Sequence, residues 1–131
     1  MADKLSFSLV SPERKLAEVE ADMVVIPGAE GDFGALPGHA PFLTTLRPGV
    51  VTVTNGSEKT EYVVTGGFAE VSGEGAAVLA EEAVERAEAA GDWMAEKVSA
   101  AEAALSAAAE DGRQAAGQRL DDYKALAQQI S

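Results

Sequence analysis

The chain has 131 residues, with 22 acidic and 10 basic side chains, so its formal net charge is −12 at pH 7. Nucleic acid and anionic lipid surfaces are bound through basic residues, so this balance argues against both as partners. The chain has no cysteine, which excludes disulfides, thiolate catalysis and cysteine-ligated zinc. Its apolar runs are shorter than the ~20 residues of a membrane helix, which predicts no direct membrane insertion.

The first part of the chain has the pattern of short β-strands separated by turns. Leu5, Phe7 and Leu9 alternate with serines, which is typical of a half-buried strand. A short apolar run from Met23 to Ile26 is ended by a proline and a glycine. Both patterns place strands early in the chain.

A β-hairpin is predicted around the Asn55-Gly56 pair. Val51 and Val53 alternate with threonines just before it, and both residues of the pair tolerate the positive φ of a type I′ turn. The returning strand is expected over 60–65, with Tyr62 and Val64 on one face. Further strands are expected over 68–71 and 76–80. Eight to ten short antiparallel strands in residues 1–84 predict a mainly β N-terminal sandwich or flattened barrel.

The second part of the chain is predicted to be an antiparallel α-helical hairpin over residues 92–131, after a linker over 85–91. Asp92 suits the N-cap position of its first helix. Apolar residues then recur at intervals of four and three on both sides of a turn at Glu110-Asp111-Gly112. These two stripes are Met94, Val98, Ala101, Leu105 and Ala108, and then Ala116, Leu120, Tyr123, Ala127 and Ile130.

The residues that carry chemistry do not form a catalytic set. His39 is the only histidine, so a histidine-cysteine metal cluster is excluded and a turn or interface role is favoured. Glu30 and Asp32 lie among glycines, which favours an exposed turn or contact surface over a pair of catalytic acids. We therefore expect no enzymatic activity, no cofactor and no metal. A stand-alone β-sandwich binding module with a helical tail remains an alternative at this point.

The stretch GAEGDFGALPGHAPFLTTLRPG, Gly28 to Gly49, resembles the motif of the epsilon subunit of the F-type ATP synthase. The segments GGFAEV at 66–71 and VLAE at 78–81 are similar to two strands of the same family. The resemblance covers residues 3–131, including the order of β domain and helical hairpin.

The resemblance implies a non-catalytic rotor subunit in the central stalk, which couples rotation of the c ring to the catalytic αβ hexamer through the gamma subunit. It implies a c-ring interface at Glu30, Gly31, Asp32 and Phe33, where an acidic turn meets basic loops. It implies a gamma interface at His39, Ala40, Pro41, Phe42 and Leu43. The family, together with the lack of an organelle presequence, implies a peripheral position on the cytoplasmic face of the bacterial inner membrane.

The chain departs from the family in its hairpin. Members that bind ATP carry an arginine in a motif at the start of the first helix. Here Asp92 is kept but Ala95 occupies the arginine position, so nucleotide binding is not expected. Members that inhibit ATP hydrolysis carry basic residues on the second helix, facing the α and β subunits. The candidates for such regulatory contacts are Arg113, Arg119 and Lys124, and weak or absent inhibition is expected.

Overall fold

The computed structural model describes residues 4–130, so residues 1–3 and 131 of the predicted domains lie outside the described part. Contacts between Cα atoms divide the chain into two compact units, Met1–Glu85 and Arg86–Ser131. The first unit is a ten-stranded β-sheet, and the second contains two packed helices. The predicted fold class is confirmed.

Ten strands form the first unit, in the order β10-β7-β6-β3-β5-β8-β9-β1-β2, with β4 paired to β3. Because β2 also lies beside β6, the sheet has a barrel-like form. The strands are β1 (Leu5–Val10), β2 (Lys15–Ala21), β3 (Met23–Gly28), β4 (Gly31–Ala35), β5 (Phe42–Leu46), β6 (Gly49–Asn55), β7 (Glu58–Val64), β8 (Gly67–Val71), β9 (Gly75–Ala80) and β10 (Ala83–Glu85).

The strand pairs are antiparallel with one exception within the described residues: β1 and β9 run parallel. The expectation of a wholly antiparallel sheet was therefore wrong for this pair. Burial alternates along both strands, but alternation along a strand carries no information about the direction of its neighbour. A parallel pair needs a long crossover, and the intervening strands provide it.

The core lies on the inner face of this sheet. Leu5, Phe7 and Leu9 are fully buried, as the alternation predicted, and they pack with inward residues such as Ile26 and Val78. Full burial of a side chain of this size contributes about 1.5–3 kcal/mol. The core therefore fixes which side chains of every strand point outward.

The β6–β7 hairpin is present, but its turn differs from the predicted type I′ turn. Asn55 is the last residue of β6 and pairs with Glu58, so the loop consists of Gly56 and Ser57. Gly56 has a φ of 63°, whereas no residue other than glycine has a positive φ in the described chain. A positive φ confined to the first loop residue is typical of a type II′ turn.

The second unit contains α1 (Arg86–Ala89), α2 (Asp92–Ala107), a 3₁₀ turn (Glu110–Gly112) and α3 (Arg113–Ile130). The predicted N-cap is shifted by one residue. Gly91, with φ 79°, occupies the cap position, while Asp92 is the first helical residue. A carboxylate in the first turn still interacts favourably with the helix dipole.

Much of the predicted apolar stripe is buried where α2 and α3 pack together. Met94 and Ala101 are buried on α2, and Leu120, Tyr123 and Ile130 are buried on α3. Leu126 is also buried, although the stripe with intervals of four and three did not include it. It lies three residues after Tyr123, so it widens the apolar face of α3.

Candidate partner-binding surfaces

The acidic turn lies between β3 and β4, where Gly28 pairs with Gly31 and the loop holds Ala29 and Glu30. Glu30, Gly31 and Asp32 are exposed, and Phe33 is half-buried against the core. Gly31 has a φ of 139°, a conformation that favours glycine. All four residues predicted for a c-ring interface thus lie at one end of the sheet.

Arg47 holds this turn in place. Its guanidinium Nη2 donates to Asp32 Oδ1 at 2.5 Å, and its Nε donates to the Gly28 carbonyl oxygen at 3.1 Å. The backbone N–H of Arg47 donates to the Pro27 carbonyl oxygen at 3.1 Å. The charge of Asp32 is therefore balanced within the chain. Glu30 has no hydrogen-bond or ion-pair partner among residues 4–130.

An aromatic cluster connects the two predicted interfaces. The ring centroids of Phe33 and Phe42 are 5.2 Å apart and their planes are 86° apart, an edge-to-face arrangement. The ring of His39 lies 6.4 Å from that of Phe33. Phe33 belongs to the predicted c-ring set, whereas His39 and Phe42 belong to the predicted gamma set. The two sets form one continuous surface.

His39 lies in a turn that is tied to its neighbours by backbone hydrogen bonds. Its N–H donates to the Leu36 carbonyl oxygen at 3.0 Å, and the Gly38 N–H donates to the Gly73 carbonyl oxygen at 3.0 Å. The imidazole Nδ1 lies 2.6 Å from the carbonyl oxygen of Ala40. No group of three or more histidine, cysteine, aspartate or glutamate residues suited to a metal occurs in the described chain. The environment of His39 is that of a turn.

The outer face of β5, β8, β9 and β1 carries an apolar strip that the sequence analysis did not identify. Thr45, Phe68, Leu79 and Val10 lie side by side in the register of these four strands. Phe68 is 54% exposed and Leu79 is 58% exposed. Leu43, two residues before Thr45 on the same face of β5, is 68% exposed. We call Leu43, Phe68, Leu79 and Val10 the outer strip.

A signal for this strip was present in the sequence. Ala69 and Val71 alternate with Phe68 and Glu70, so a strand that buries the first two must expose the second two. Leu79 stands in the same relation to Val78 and Ala80 on β9. Large apolar residues at outward positions are typical of a surface that a partner covers.

The cationic side chains predicted for regulatory contacts are partly engaged within the hairpin. Arg119 Nη2 donates to the Tyr123 hydroxyl at 3.1 Å, and its guanidinium carbon lies 5.3 Å from the centre of that ring. Arg113 Nη1 lies 3.5 Å from the Leu105 carbonyl oxygen near the end of α2. Lys124 is exposed and has no partner among residues 4–130.

A cavity of about 380 Å³ opens in the hairpin beside the stretch compared with the nucleotide motif. Ala95 lines it, together with apolar residues of both helices such as Met94 and Ile130. Glu102 is its only charged lining residue, and that charge is negative. A triphosphate is bound through cationic groups, which this lining lacks.

Comparison with known proteins identifies the family. A family model described as "ATP synthase, Delta/Epsilon chain, beta-sandwich domain" matches residues 4–86. The ATP synthase epsilon chain of Rhodobacter capsulatus is 49% identical over 131 residues, covering 100% of this chain and 99% of the relative. The chain belongs to the ATP synthase epsilon chain family. The epsilon chain of Maricaulis maris is 46% identical over 127 residues and covers 96% of each protein.

Two solved structures contain chains with the same fold. A chain in the cryo-EM structure of the Euglena gracilis mitochondrial ATP synthase, described as OSCP/F1/c-ring in rotational state 1, has a TM-score of 0.79. It is 25% identical and covers 100% of this chain and 84% of that one. A chain in the cryo-EM structure of the Tetrahymena thermophila mitochondrial ATP synthase, described as central stalk/cring, has the same fold, with a TM-score of 0.73 at 16% identity. That comparison covers 98% of this chain and 97% of the other.

Membership of the epsilon family settles the question of catalysis. An epsilon chain is a non-catalytic subunit of ATP synthase, so the expectation that this chain is not an enzyme is confirmed. It is also a subunit of a complex, which replaces the alternative of a stand-alone binding module. Within residues 4–130, none of the helices is long and apolar enough to cross a membrane.

Proposed function

We propose that this epsilon chain is a rotor component of the central stalk, joining the gamma subunit to the c ring. The observation that carries this proposal is the ring contact of Phe33, in the predicted c-ring set, with Phe42, in the predicted gamma set. The outer strip is apolar, the β3–β4 turn is acidic, and the Phe33–Phe42 contact lies between the two predicted interfaces. One body that binds two partners in this way can pass rotation from one to the other.

The outer strip and the segment from His39 to Leu43 form the proposed gamma interface. Leu43, Phe68 and Leu79 are each more than half exposed and lie on three neighbouring strands. Apolar side chains at the centre of an interface contribute most of its binding energy when water is excluded around them. Glu70, which is opposite Leu43, adds a negative charge to this face. The matching surface of gamma should therefore be apolar, with a basic group near Glu70.

The β3–β4 turn is the proposed c-ring interface. Glu30 is exposed at the turn and has no partner among the described residues, so its charge is available to a basic group on another subunit. Arg47 fixes the turn on which Glu30 lies, which lowers the entropy lost on binding. Both solved structures in the comparison are of complexes whose descriptions name the c ring.

Stiffness supports the proposed transmission of rotation. Gly49 approaches the end of β3 so closely that a Cβ atom on it would lie 2.5 Å from Pro27 Cβ. Close packing of this kind resists deformation, because neighbouring atoms have no space into which to move. The strand that precedes the acidic turn is thus firmly held, and a force applied at the turn reaches the sheet.

For the hairpin we propose weak or absent inhibition of ATP hydrolysis and no ATP binding. Two of its three candidate cations, Arg113 and Arg119, already have contacts within the hairpin. The cavity near Ala95 has no cationic lining residue for a triphosphate. The complex is proposed to hold this chain at the cytoplasmic face of the bacterial inner membrane, because the close relatives come from bacteria.

Proton-driven ATP synthesis tests the proposal. In a reconstituted complex, Glu30→Lys should lower the rate of synthesis, because a positive charge at the turn repels the basic loops of the c ring. Glu58→Lys, at an exposed position of β7 away from the turn, is the matched control with the same charge change and should leave the rate unchanged. Equal rates for Glu30→Lys and the unaltered complex would contradict the proposed role of the turn.

A further inference from the structure

Four residues from three parts of the chain meet at the β6–β7 turn. The Gly56 N–H donates to Asp22 Oδ2 at 2.6 Å. Lys4 Nζ lies 2.7 Å from Asp22 Oδ1 and donates to Asn55 Oδ1 at 2.5 Å. We call Lys4, Asp22 and Gly56, together with Asn55, the turn clamp. We propose that Asn55 is a deamidation site and that the turn clamp suppresses its reaction in the folded chain.

The Asn55-Gly56 sequence has the chemistry for this modification. The backbone nitrogen of Gly56 loses its proton to solvent base and attacks Cγ of Asn55, forming a five-membered imide. The C–Nδ2 bond breaks, and Nδ2 takes a proton from water and leaves as ammonia. A second water molecule opens the ring to give aspartate or isoaspartate. Glycine favours the attack because it has no Cβ to obstruct the approach of its nitrogen, and both residues are exposed to water.

Backbone geometry opposes ring closure in the folded chain. Asn55 is the last residue of β6 and is paired with Glu58. When Asn55 is in extended backbone, the backbone nitrogen of Gly56 points away from Cγ of Asn55. Ring closure therefore requires rotation of Asn55 out of the strand. That rotation breaks the pairing with Glu58 and removes the Gly56 N–H from Asp22.

Charge opposes the reaction at the same atom. The attacking species is the deprotonated nitrogen of Gly56, which carries negative charge. The Asp22 carboxylate, 2.6 Å away, stabilises the N–H form and repels the anion. Lys4 holds the Asp22 carboxylate and the Asn55 amide oxygen together, so it restrains both partners. Removal of Lys4 would also remove polarisation of the amide oxygen, so Asp22 is the informative residue to change.

Modification would change the turn that the clamp maintains. Deamidation replaces the neutral amide of Asn55 with a carboxylate close to Asp22, so two negative charges then share the single Lys4 ammonium. Isoaspartate also adds one atom to the backbone at the Asn55–Glu58 pair, which disturbs the register of β6 and β7. Chains that have spent time with this hairpin open would therefore accumulate an altered turn.

The test measures deamidation of the full-length chain by mass spectrometry of the peptide containing Asn55, at neutral pH over days. The folded chain should react at least about tenfold more slowly than the same chain in urea, because opening of the hairpin must come first. Asp22→Ala should raise the folded-state rate toward that of the unfolded chain. Glu58→Gln, which removes a nearby carboxylate that does not contact Gly56, should not. The variant Asn55→Gln shows how much of the deamidation signal comes from residues other than Asn55.

Two results would overturn the proposal. One is a folded wild-type chain that deamidates as fast as the unfolded chain, and the other is a folded Asp22→Ala chain with the wild-type rate. If circular dichroism shows that Asp22→Ala does not fold, hydrogen exchange of the Gly56 amide in the wild-type chain decides. Exchange slowed at least about tenfold supports the clamp, whereas exchange at the unfolded rate refutes it.

Discussion

Arg47 and Asp32 form an ion pair across the base of the β3–β4 turn, with the guanidinium Nη2 2.5 Å from Oδ1. The same guanidinium also donates to the Gly28 carbonyl oxygen, so one side chain fixes both strands of the turn. Asp32 is thereby committed within the chain, and Glu30 is left as the carboxylate that can face a partner. The acidic turn therefore presents one positioned carboxylate, that of Glu30, to a partner.

Exchanging the charges of Arg47 and Asp32 tests whether Asp32 only holds the turn in place or also contacts the partner. In the double variant Arg47→Asp with Asp32→Arg, the ion pair is restored in reverse although the hydrogen bond to the Gly28 carbonyl oxygen is lost, so the turn and the coupling should be retained better than in a variant that loses both contacts. The single variant Arg47→Met should weaken coupling, because the turn loses both guanidinium contacts. ATP synthesis by the reconstituted complex measures both effects. Loss of coupling in the double variant, with the turn intact by NMR, would show that Asp32 itself contacts the partner.

Asp22 should make the stability of the β unit dependent on acid. The Gly56 N–H, followed by the Lys4 ammonium, holds the pKa of this carboxyl below its usual 3.8. A depressed pKa stabilises the fold at pH values above 3.8, and this stabilisation is lost as the pH falls through the lower folded value. Acid unfolding followed by circular dichroism should therefore be less steep below pH 3.8 in Asp22→Asn. If Asp22→Asn and the unaltered chain have the same acid-unfolding curve below pH 3.8, Asp22 does not contribute to this pH dependence.

Gly67→Ala should destabilise the β unit by more than about 2 kcal/mol. Gly67 has a φ of 129°, and a Cβ atom at this position would overlap the carbonyl oxygen of Leu79 on the neighbouring strand. Neither the positive φ nor the overlap with the carbonyl oxygen can be relieved by a side-chain movement, because both involve backbone atoms. Urea denaturation measures the loss. A change within 0.5 kcal/mol would show that the strands separate easily at this point.

Gly117→Ala should have the opposite effect, in the helical unit. Gly117 lies inside α3, and the nearest atom to an added Cβ is Leu105 Cδ1 at 4.0 Å, an ordinary contact distance. Alanine is favoured over glycine in a helix interior by about 1 kcal/mol. The helical circular dichroism signal should therefore persist to higher temperature. An unchanged or lowered transition would contradict the packing described for this position.

Much of the fold could be predicted from the sequence because burial follows its local periodicity. The alternation of Leu5, Phe7 and Leu9 sufficed to predict β1 and its inward face. The parallel pairing of β1 with β9 could not be predicted, because it depends on contacts distant in sequence. The hairpin at Asn55-Gly56 was located correctly, but its turn is displaced by one residue, since Gly56 takes the first loop position, where a type II′ turn favours glycine.

The candidate surfaces were predicted less completely. The acidic turn and the segment around His39 came from the family resemblance, and their roles remain predictions. The ion pair that binds Arg47 to Asp32 joins residues 15 positions apart, which no local pattern reveals. Phe68 and Leu79 appeared as strand residues, but their outward direction became clear only when the core was known.

Binding to an ATPase core that contains gamma and lacks this subunit tests the central claim most directly. Phe68→Asp and Leu79→Asp place a charge in the outer strip and should each weaken binding at least about tenfold, the loss typical of an interface anchor. The control is Val19→Asp, which also replaces an exposed apolar residue with aspartate but lies on β2, outside the outer strip. Val19 is 46% exposed, and this variant should bind as the unaltered chain does. If both strip variants fold and bind normally, the outer strip is not the gamma interface.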